Sequence, residues 1–287
     1  MQPKAGKLRR LFQGRQGKIR IIVWGSFWTV LISFYYWQPI RIEFFPPKPP
    51  AHEEVEPDAD RLFAEGAKVL VITAHPDDAE FYIGGTLLQL GRAGAEIRLV
   101  AMTNGDKAYY PGGADPELTE TRQSEQRQAA EVWGGTVRFL GYKDARLPVS
   151  KGTVGDLVSI MEEFHPDYVL SFDPVYRGRR VHSDHIDAGR NTLRSLKKWD
   201  GNPWVMLFAS RAPNYFIDIS DDWFDKKDLL AVHASQFSGE RLEGVANLVA
   251  SFAENYGDQA GVFMAEGFRC YGATPSPDEP VGRGGRG

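Results

Sequence analysis

A chain of 287 residues with 42% hydrophobic and 25% charged side chains has a globular composition, and its single cysteine, Cys270, excludes an intrachain disulfide or a cysteine-rich metal cluster. The formal charge of −4 is unevenly spread: residues 1–42 carry eight of the 34 Lys/Arg and no acid, which leaves 26 bases against 38 acids elsewhere. So acidic a body argues against nucleic acid as partner or substrate, and the basic arm calls for another reason.

The next segment supplies one. Residues 21–37 read IIVWGSFWTVLISFYYW, uncharged, with Trp24, Trp28, Tyr35, Tyr36 and Trp37 suited to a headgroup region. Residues 21–38 are therefore predicted to form one N-terminal transmembrane helix anchored in a lipid bilayer; a buried core helix is the competing reading of so short a span. Tyr35-Tyr36-Trp37-Gln38-Pro39 offers no small-residue cleavage site, which argues against a cleaved signal peptide. Seven Lys/Arg precede the span and Arg41 follows it, so residues 1–20 are expected to be a cytoplasmic basic arm and the body to be extracytoplasmic. Residues 39–62, with Pro46-Pro47-Lys48-Pro49-Pro50 and then an acidic stretch, read as a semi-rigid linker. Residues 273–287, rich in Gly and Pro, read as a disordered tail.

Between them, residues 63–272 alternate strand and helix patterns. Strands are predicted at 67–73, 96–102, 136–140, 168–172, 203–209 and 215–219. Helices are predicted at 83–94, 117–133, 154–164, 183–198, 221–234 and 242–256, several ended by glycine or proline. The alternation implies an α/β domain: a Rossmann-like, mainly parallel sheet with helices on both faces. In such sheets, sites form beyond the C-terminal ends of strands.

Two of those ends are dense in chemistry. Ala74-His75-Pro76-Asp77-Asp78-Ala79-Glu80 follows the first strand, and His182-Ser183-Asp184-His185 follows the fourth at a helix start. His75 and Asp78 can point at one centre with Asp77 beside it, and His182 and His185 share one side of a helical turn. Together they offer His, Asp and His, which suits a catalytic zinc that keeps an open position for water, with Asp77 as a candidate general base. The same residue types also occur as loop caps and satisfied core histidines, so the pattern alone leaves both readings open.

The order of these motifs resembles the LmbE / PIG-L family of zinc-dependent N-acetylglucosaminyl deacetylases. The resemblance runs through Gly84-Gly85-Thr86-Leu87, Met102 to Asp106, Glu120-Thr121-Arg122, Leu140-Gly141-Tyr142 with Asp144, His182 to His185, His233 to Gln236, and Glu266 to Arg269. It implies that His75, Asp78 and His185 hold Zn2+, that Asp77 is the general base, and that His182 polarises the substrate carbonyl and steadies the tetrahedral intermediate. The implied reaction is hydrolysis of the acetamide of an N-acetylated amino sugar, and the predicted anchor adds the expectation that the conjugate is lipid-linked or in the cell envelope. Fe2+ remains an alternative, because two histidines and one carboxylate accept either ion. Ala79 stands where many members place Glu directly after Asp-Asp.

Four further positions are candidate substrate contacts: Arg122, Tyr109, Arg177 and Arg180, the last two in a basic run that suits an anionic group. Asp106 is a candidate support for a metal ligand. Alternative functions are a zinc amidase for another N-acyl or thiol-conjugate substrate, a non-catalytic sugar-binding domain, and a nucleotide-binding protein using Gly84-Gly85.

Overall fold

The computed structural model describes residues 57, 59–107, 116–177 and 182–272. The predicted basic arm, membrane anchor and tail, most of the linker, and Tyr109 and Arg180 lie outside the described residues. Among the described residues no helix is long and apolar enough to cross a membrane.

Strands β1 (Lys68–Thr73), β2 (Glu96–Thr103), β3 (Thr136–Tyr142), β4 (Tyr168–Phe172) and β5 (Trp204–Phe208) pair in parallel in the order β3-β2-β1-β4-β5. Every residue of β4 is buried, and so is all of β1 beyond Lys68. That is why their sequences are unbroken apolar runs and not alternating ones: both faces of the sheet are covered. On one face lie α2 (Asp78–Arg92) and α3 (Pro116–Val132), so close that a Cβ on Gly91 would stand 2.1 Å from the carbonyl oxygen of Trp133. The other face carries α4 (Lys151–Phe164) and α5 (Ser183–Leu196), packed on each other. Strand order reverses between β1 and β4, so a crevice opens beyond their carboxyl ends.

The far edge departs from the predicted pattern. A strand that the sequence did not suggest, β7 (Ala265–Tyr271), runs antiparallel to β5, and β6 (Tyr215–Asp218) runs antiparallel to β7. The sheet is thus parallel over five strands and antiparallel at one margin. A turn of 3-10 helix at Ser220–Asp222 leads into α6 (Trp223–Ala231), and α7 (Glu240–Ala260) lies against the two antiparallel strands. At the other end a helical turn, α1 (Ala59–Leu62), buries Leu62 in the core, so the domain begins inside the stretch read as linker.

Helix α2 starts five residues earlier than predicted and is kinked at Ile83 (φ −135°, ψ 23°). The kink leaves backbone N–H groups without helical partners, and Glu266 of β7 takes them. Its carboxylate accepts from Gly85 N (2.9 Å), Thr86 N (2.8 Å) and the Thr86 hydroxyl (2.5 Å). Lys226 of α6 neutralises it at 2.6 Å, both side chains being 2% exposed. Losing one partner of such a buried pair costs about 3–5 kcal/mol. Gly84 and Gly85 are explained here. A Cβ on Gly85 would stand 2.6 Å from Ile219 Cγ2, so these glycines admit α6 and its lead-in turn to α2 and give no phosphate loop.

Candidate metal centre and active site

The loop after β1 is closed by one carboxylate. Asp78 Oδ2 accepts from the backbone N–H of Ala74 (3.1 Å) and of His75 (2.7 Å), and Oδ1 faces His185 Nε2 at 3.0 Å. His185 arrives from the first turn of α5, beside β1 because β1 and β4 are neighbours. Its ring stacks on Phe172 (centroids 4.1 Å apart, 9° between planes) and stands edge-on to Tyr82. Its buried Nδ1 has no hydrogen-bond partner, so stacking sets the ring. His75 Nδ1 lies 3.5 Å from Asp78 Oδ2, while its Nε2–H donates to Asp144 Oδ1 at 3.0 Å, with Asp184 Oδ2 3.5 Å away. His75, Asp78 and His185 are all buried, and their candidate ligand atoms lie within 4.8 Å of one another. The three predicted ligands are therefore assembled by the fold.

Charge supports the fit of a cation to this set. Asp77, Asp78, Asp144 and Asp184 crowd around it, and Arg122 pairs with Asp77 at 3.0 Å and lies 4.0 Å from Asp144. Burial alone would push the His75 imidazolium down, but the Asp78 charge and the hydrogen bonds to Asp144 and Asp184 outweigh it and hold His75 well above the usual imidazole range. Burial likewise opposes ionisation of Asp78, yet His185 and His75 keep it well below the usual carboxylate range. Two imidazoles and a carboxylate, preceded by such an excess of negative charge, suit a divalent ion.

Asp144 and Asp184 are the functional residues that site prediction missed. Asp144 fixes the proton of His75 on Nε2, freeing Nδ1. Asp184 accepts from Ala145 N (2.7 Å) and Leu147 N (3.3 Å), which ties the loop after β3 to α5. Both follow strand ends, the signal that could have flagged them. Asp106 acts one step further out than expected: Oδ1 accepts from the backbone N–H of Asp144 (2.9 Å) and touches no ligand itself.

Asp77 stands beside the ligands in a left-handed backbone conformation (φ 97°, ψ −23°). For a residue with a Cβ that conformation costs about 1–3 kcal/mol and persists only where the surroundings impose it. Helix α3 imposes it twice. Gln126 Oε1 accepts from Asp77 N at 2.8 Å. Arg122 donates to Asp77 Oδ2 (3.0 Å), Pro76 O (2.8 Å) and Gly105 O (2.7 Å). Arg122, predicted as a substrate contact, thus gives these donors to Asp77 and the loops because it is buried among them. Gln126 is held in turn. Its Nε2 donates to Glu80 Oε1 (2.8 Å), Trp133 donates to the same oxygen (2.9 Å), and His233 Nε2 donates to Glu80 Oε2 (3.1 Å). Burial raises the Asp77 carboxyl above its usual range; Arg122 pulls against that without overcoming it, and Asp78 adds to it. A carboxylate so placed takes up a proton readily.

His182 caps α5, its Nδ1 accepting from Asp184 N at 3.3 Å. A neutral ring accepting at Nδ1 carries its proton on Nε2. Burial, then the neighbouring His75, keep His182 below the usual imidazole range, so it is neutral near pH 7 and Nε2–H is a donor. Its ring lies 4.8 Å from that of His75 and 5.6 Å from that of His185. All five predicted metal and catalytic residues line one cavity, with Lys107 and Arg122. Arg177 is exposed, its backbone bridged to Ser210, and is not part of the cavity wall.

Residues 70–196 match the family described as PIG-L, GlcNAc-PI de-N-acetylase. A probable N-acetyl-α-D-glucosaminyl L-malate deacetylase 2 of Bacillus cereus is 30% identical over 185 residues, covering 58% of this chain and 83% of that protein. The chain belongs to the PIG-L family. Diacetylchitobiose deacetylase of Thermococcus kodakarensis is 29% identical over 228 residues, 72% of this chain and 84% of that protein. The structure of N,N'-diacetylchitobiose deacetylase from Pyrococcus horikoshii, complexed with its inhibitor MPG, aligns with a TM-score of 0.71 at 29% identity, covering 77% of this chain and 91% of that one.

As a PIG-L member the chain is an N-deacetylase, a hydrolase of an amide C–N bond. His75, Asp78 and His185 would hold a divalent ion, which would supply Lewis acidity there. The residues around it divide the remaining work. Asp77, buried beside the ligands and raised above its usual range, is placed to accept a proton from a water there and to return one to an amine. Neutral His182 brings an Nε2–H donor to the same cavity, the type of group that can stabilise charge developing on a carbonyl oxygen.

Two predictions follow from the supports. Gln126→Leu removes the acceptor for Asp77 N and the donor to Glu80; with the metal ligands intact, kcat is expected to fall roughly 10- to 100-fold, the size of loss that a small misplacement brings, while metal content by elemental analysis is unchanged. The second concerns pH. Against burial, its bond to Glu80 raises His233, so its stabilisation is complete below about pH 6.5 and is lost as pH rises through the raised value. Burial opposes ionisation of Glu80 as well, but His233 and Trp133 lower it, so its share is present above about pH 4.3 and is lost as pH falls through the lowered value. Melting curves from pH 6 to 9 should therefore show an alkaline decline that is smaller in His233→Asn.

Proposed function

We propose that the chain is a zinc-dependent deacetylase of N-acetylglucosamine-type sugars, releasing acetate and a free amine on the sugar. The observation that carries this reading is the convergence of His75, Asp78 and His185 with Asp77 and His182 on the same cavity. Support for the sugar comes from the relatives, one named for diacetylchitobiose and one for an N-acetyl-glucosaminyl L-malate. Support for zinc comes from the ligand types; Fe2+ suits the same set. The acidic body fits a neutral sugar conjugate better than a polyanion.

The uncharged run at 21–37 and the seven preceding Lys/Arg support a single-pass anchor with residues 1–20 cytoplasmic and the catalytic domain extracytoplasmic, facing amino-sugar conjugates of the cell envelope.

Acetate release from diacetylchitobiose by the purified full chain tests the reaction. Activity is expected to vanish on chelation and return with Zn2+ or Fe2+; the ion restoring more at equal occupancy decides between them. Asp77→Asn is expected to lose about 10²–10⁴ in kcat while keeping its metal; a fully active Asp77→Asn would remove Asp77 from the mechanism. Topology has a separate readout: a reporter fused after residue 60 should register outside the cytoplasm, and a cytoplasmic signal would reverse the orientation.

A further inference from the structure

The cavity of the metal centre measures about 1430 Å³, above the roughly 300–1,000 Å³ usual for small-ligand sites. One amino sugar would leave most of it unfilled. The part away from the metal ligands is chemically distinct. Phe81, Phe237, Val245, Leu248, Val249 and Phe252 form an apolar wall there, while α7 also brings Arg241, Asn255 and Gln259 to the cavity. Val245, Leu248, Val249 and Phe252 recur at helical spacing along one face of α7. Leu248 is 47% exposed and Phe252 44% exposed, as core residues are not.

This wall begins at the active site. Phe81 lies one turn beyond Asp78 in α2, and its ring centroid is 6.4 Å from that of Phe252. Apart from Phe81, the wall comes from beyond residue 196, outside the stretch that the family model matches.

We propose that this wall is an aglycone subsite, and that the substrate is an N-acetylamino-sugar glycoside carrying an apolar alkyl or aryl group. The proposal rests on the deacetylase reading of the metal centre. Continuity within one cavity selects the aglycone as occupant: with the acetamide at Asp77 and His182, whatever the sugar carries extends along α7. The carbon chain leaves water there, and the sugar hydroxyls stay at the polar end.

The test compares methyl and octyl β-glycosides of N-acetylglucosamine as substrates of the full chain, with the octyl compound below its micelle concentration. The octyl glycoside is expected to show kcat/KM about tenfold or more above the methyl one, chiefly through KM, as partial burial of an alkyl chain gives. The double variant Leu248→Gln/Phe252→Gln should bring that ratio towards one, whereas Phe252→Leu should largely preserve it. Equal kcat/KM for the two glycosides, or an unchanged preference in the double variant, overturns the subsite and leaves the deacetylase standing. Acetate from diacetylchitobiose but from neither glycoside does the same; no acetate from any of the three overturns both readings. Light scattering settles the rival occupant. A dimer dispersed by the double variant, with equal rates on both glycosides, assigns the wall to a second copy of the chain and overturns the proposal.

Discussion

One carboxylate, that of Asp78, holds the active site in register. Its Oδ2 gathers the backbone N–H groups of Ala74 and His75, and its Oδ1 faces His185 across the crevice between β1 and β4. The same group therefore shapes the loop that carries one histidine and meets the histidine of a distant helix. Around it, like charges are packed closer than they would settle in water. Buried carboxylates in such number are tolerable only with compensating positive charge. Arg122 supplies it on the side of Asp77, and His185 and His75 supply it at Asp78.

The neighbouring Asp77 shows how local strain is carried by a distant scaffold. Its left-handed backbone is unfavourable by itself, and the restraints come from α3 through Arg122 and Gln126. Gln126 is oriented by Glu80, and Glu80 by Trp133 and His233. Each link is a buried polar group whose loss would strand the next one. A chain of this kind rigidifies when complete and fails as a unit when broken. The placement of the Asp77 carboxylate thus depends on residues from α2, the end of α3 and the segment after α6.

The end of the chain does more than complete the sheet. Glu266 of β7 satisfies the helix interrupted at Ile83, and Lys226 neutralises it. At the same edge Asp173, just past β4, binds Arg269 of β7 through two hydrogen bonds (2.8 and 3.1 Å) and Ser210 through a third (2.6 Å). These contacts lock the antiparallel margin onto the parallel core. They also set α7 beside the metal centre, which gives the cavity its long apolar side.

The parallel core and the residue types of the candidate centre were legible without the fold. Unbroken apolar runs mark strands buried on both faces, and the candidate ligands sit in two short motifs, one directly after β1 and one at the helix start that follows β4, so their types and spacing are locally visible. Asp77, Asp78, His75, His182 and His185 could be singled out as candidates for that reason, and the fold brings them to one cavity. Tertiary structure alone decided what supports them. Glu266 meets Gly85 across 181 positions and Gln126 meets Asp77 across 49, separations that leave no periodic trace. Strand β7 was hidden for a related reason: AEGFRCY carries Glu266 and Arg269 in its middle, which reads as a surface segment. It is fully buried because each charge finds an opposite one on another element, Lys226 for Glu266 and Asp173 for Arg269. A charge inside a strand can be classed as buried only once its partner is known, and only the folded chain brings those partners together.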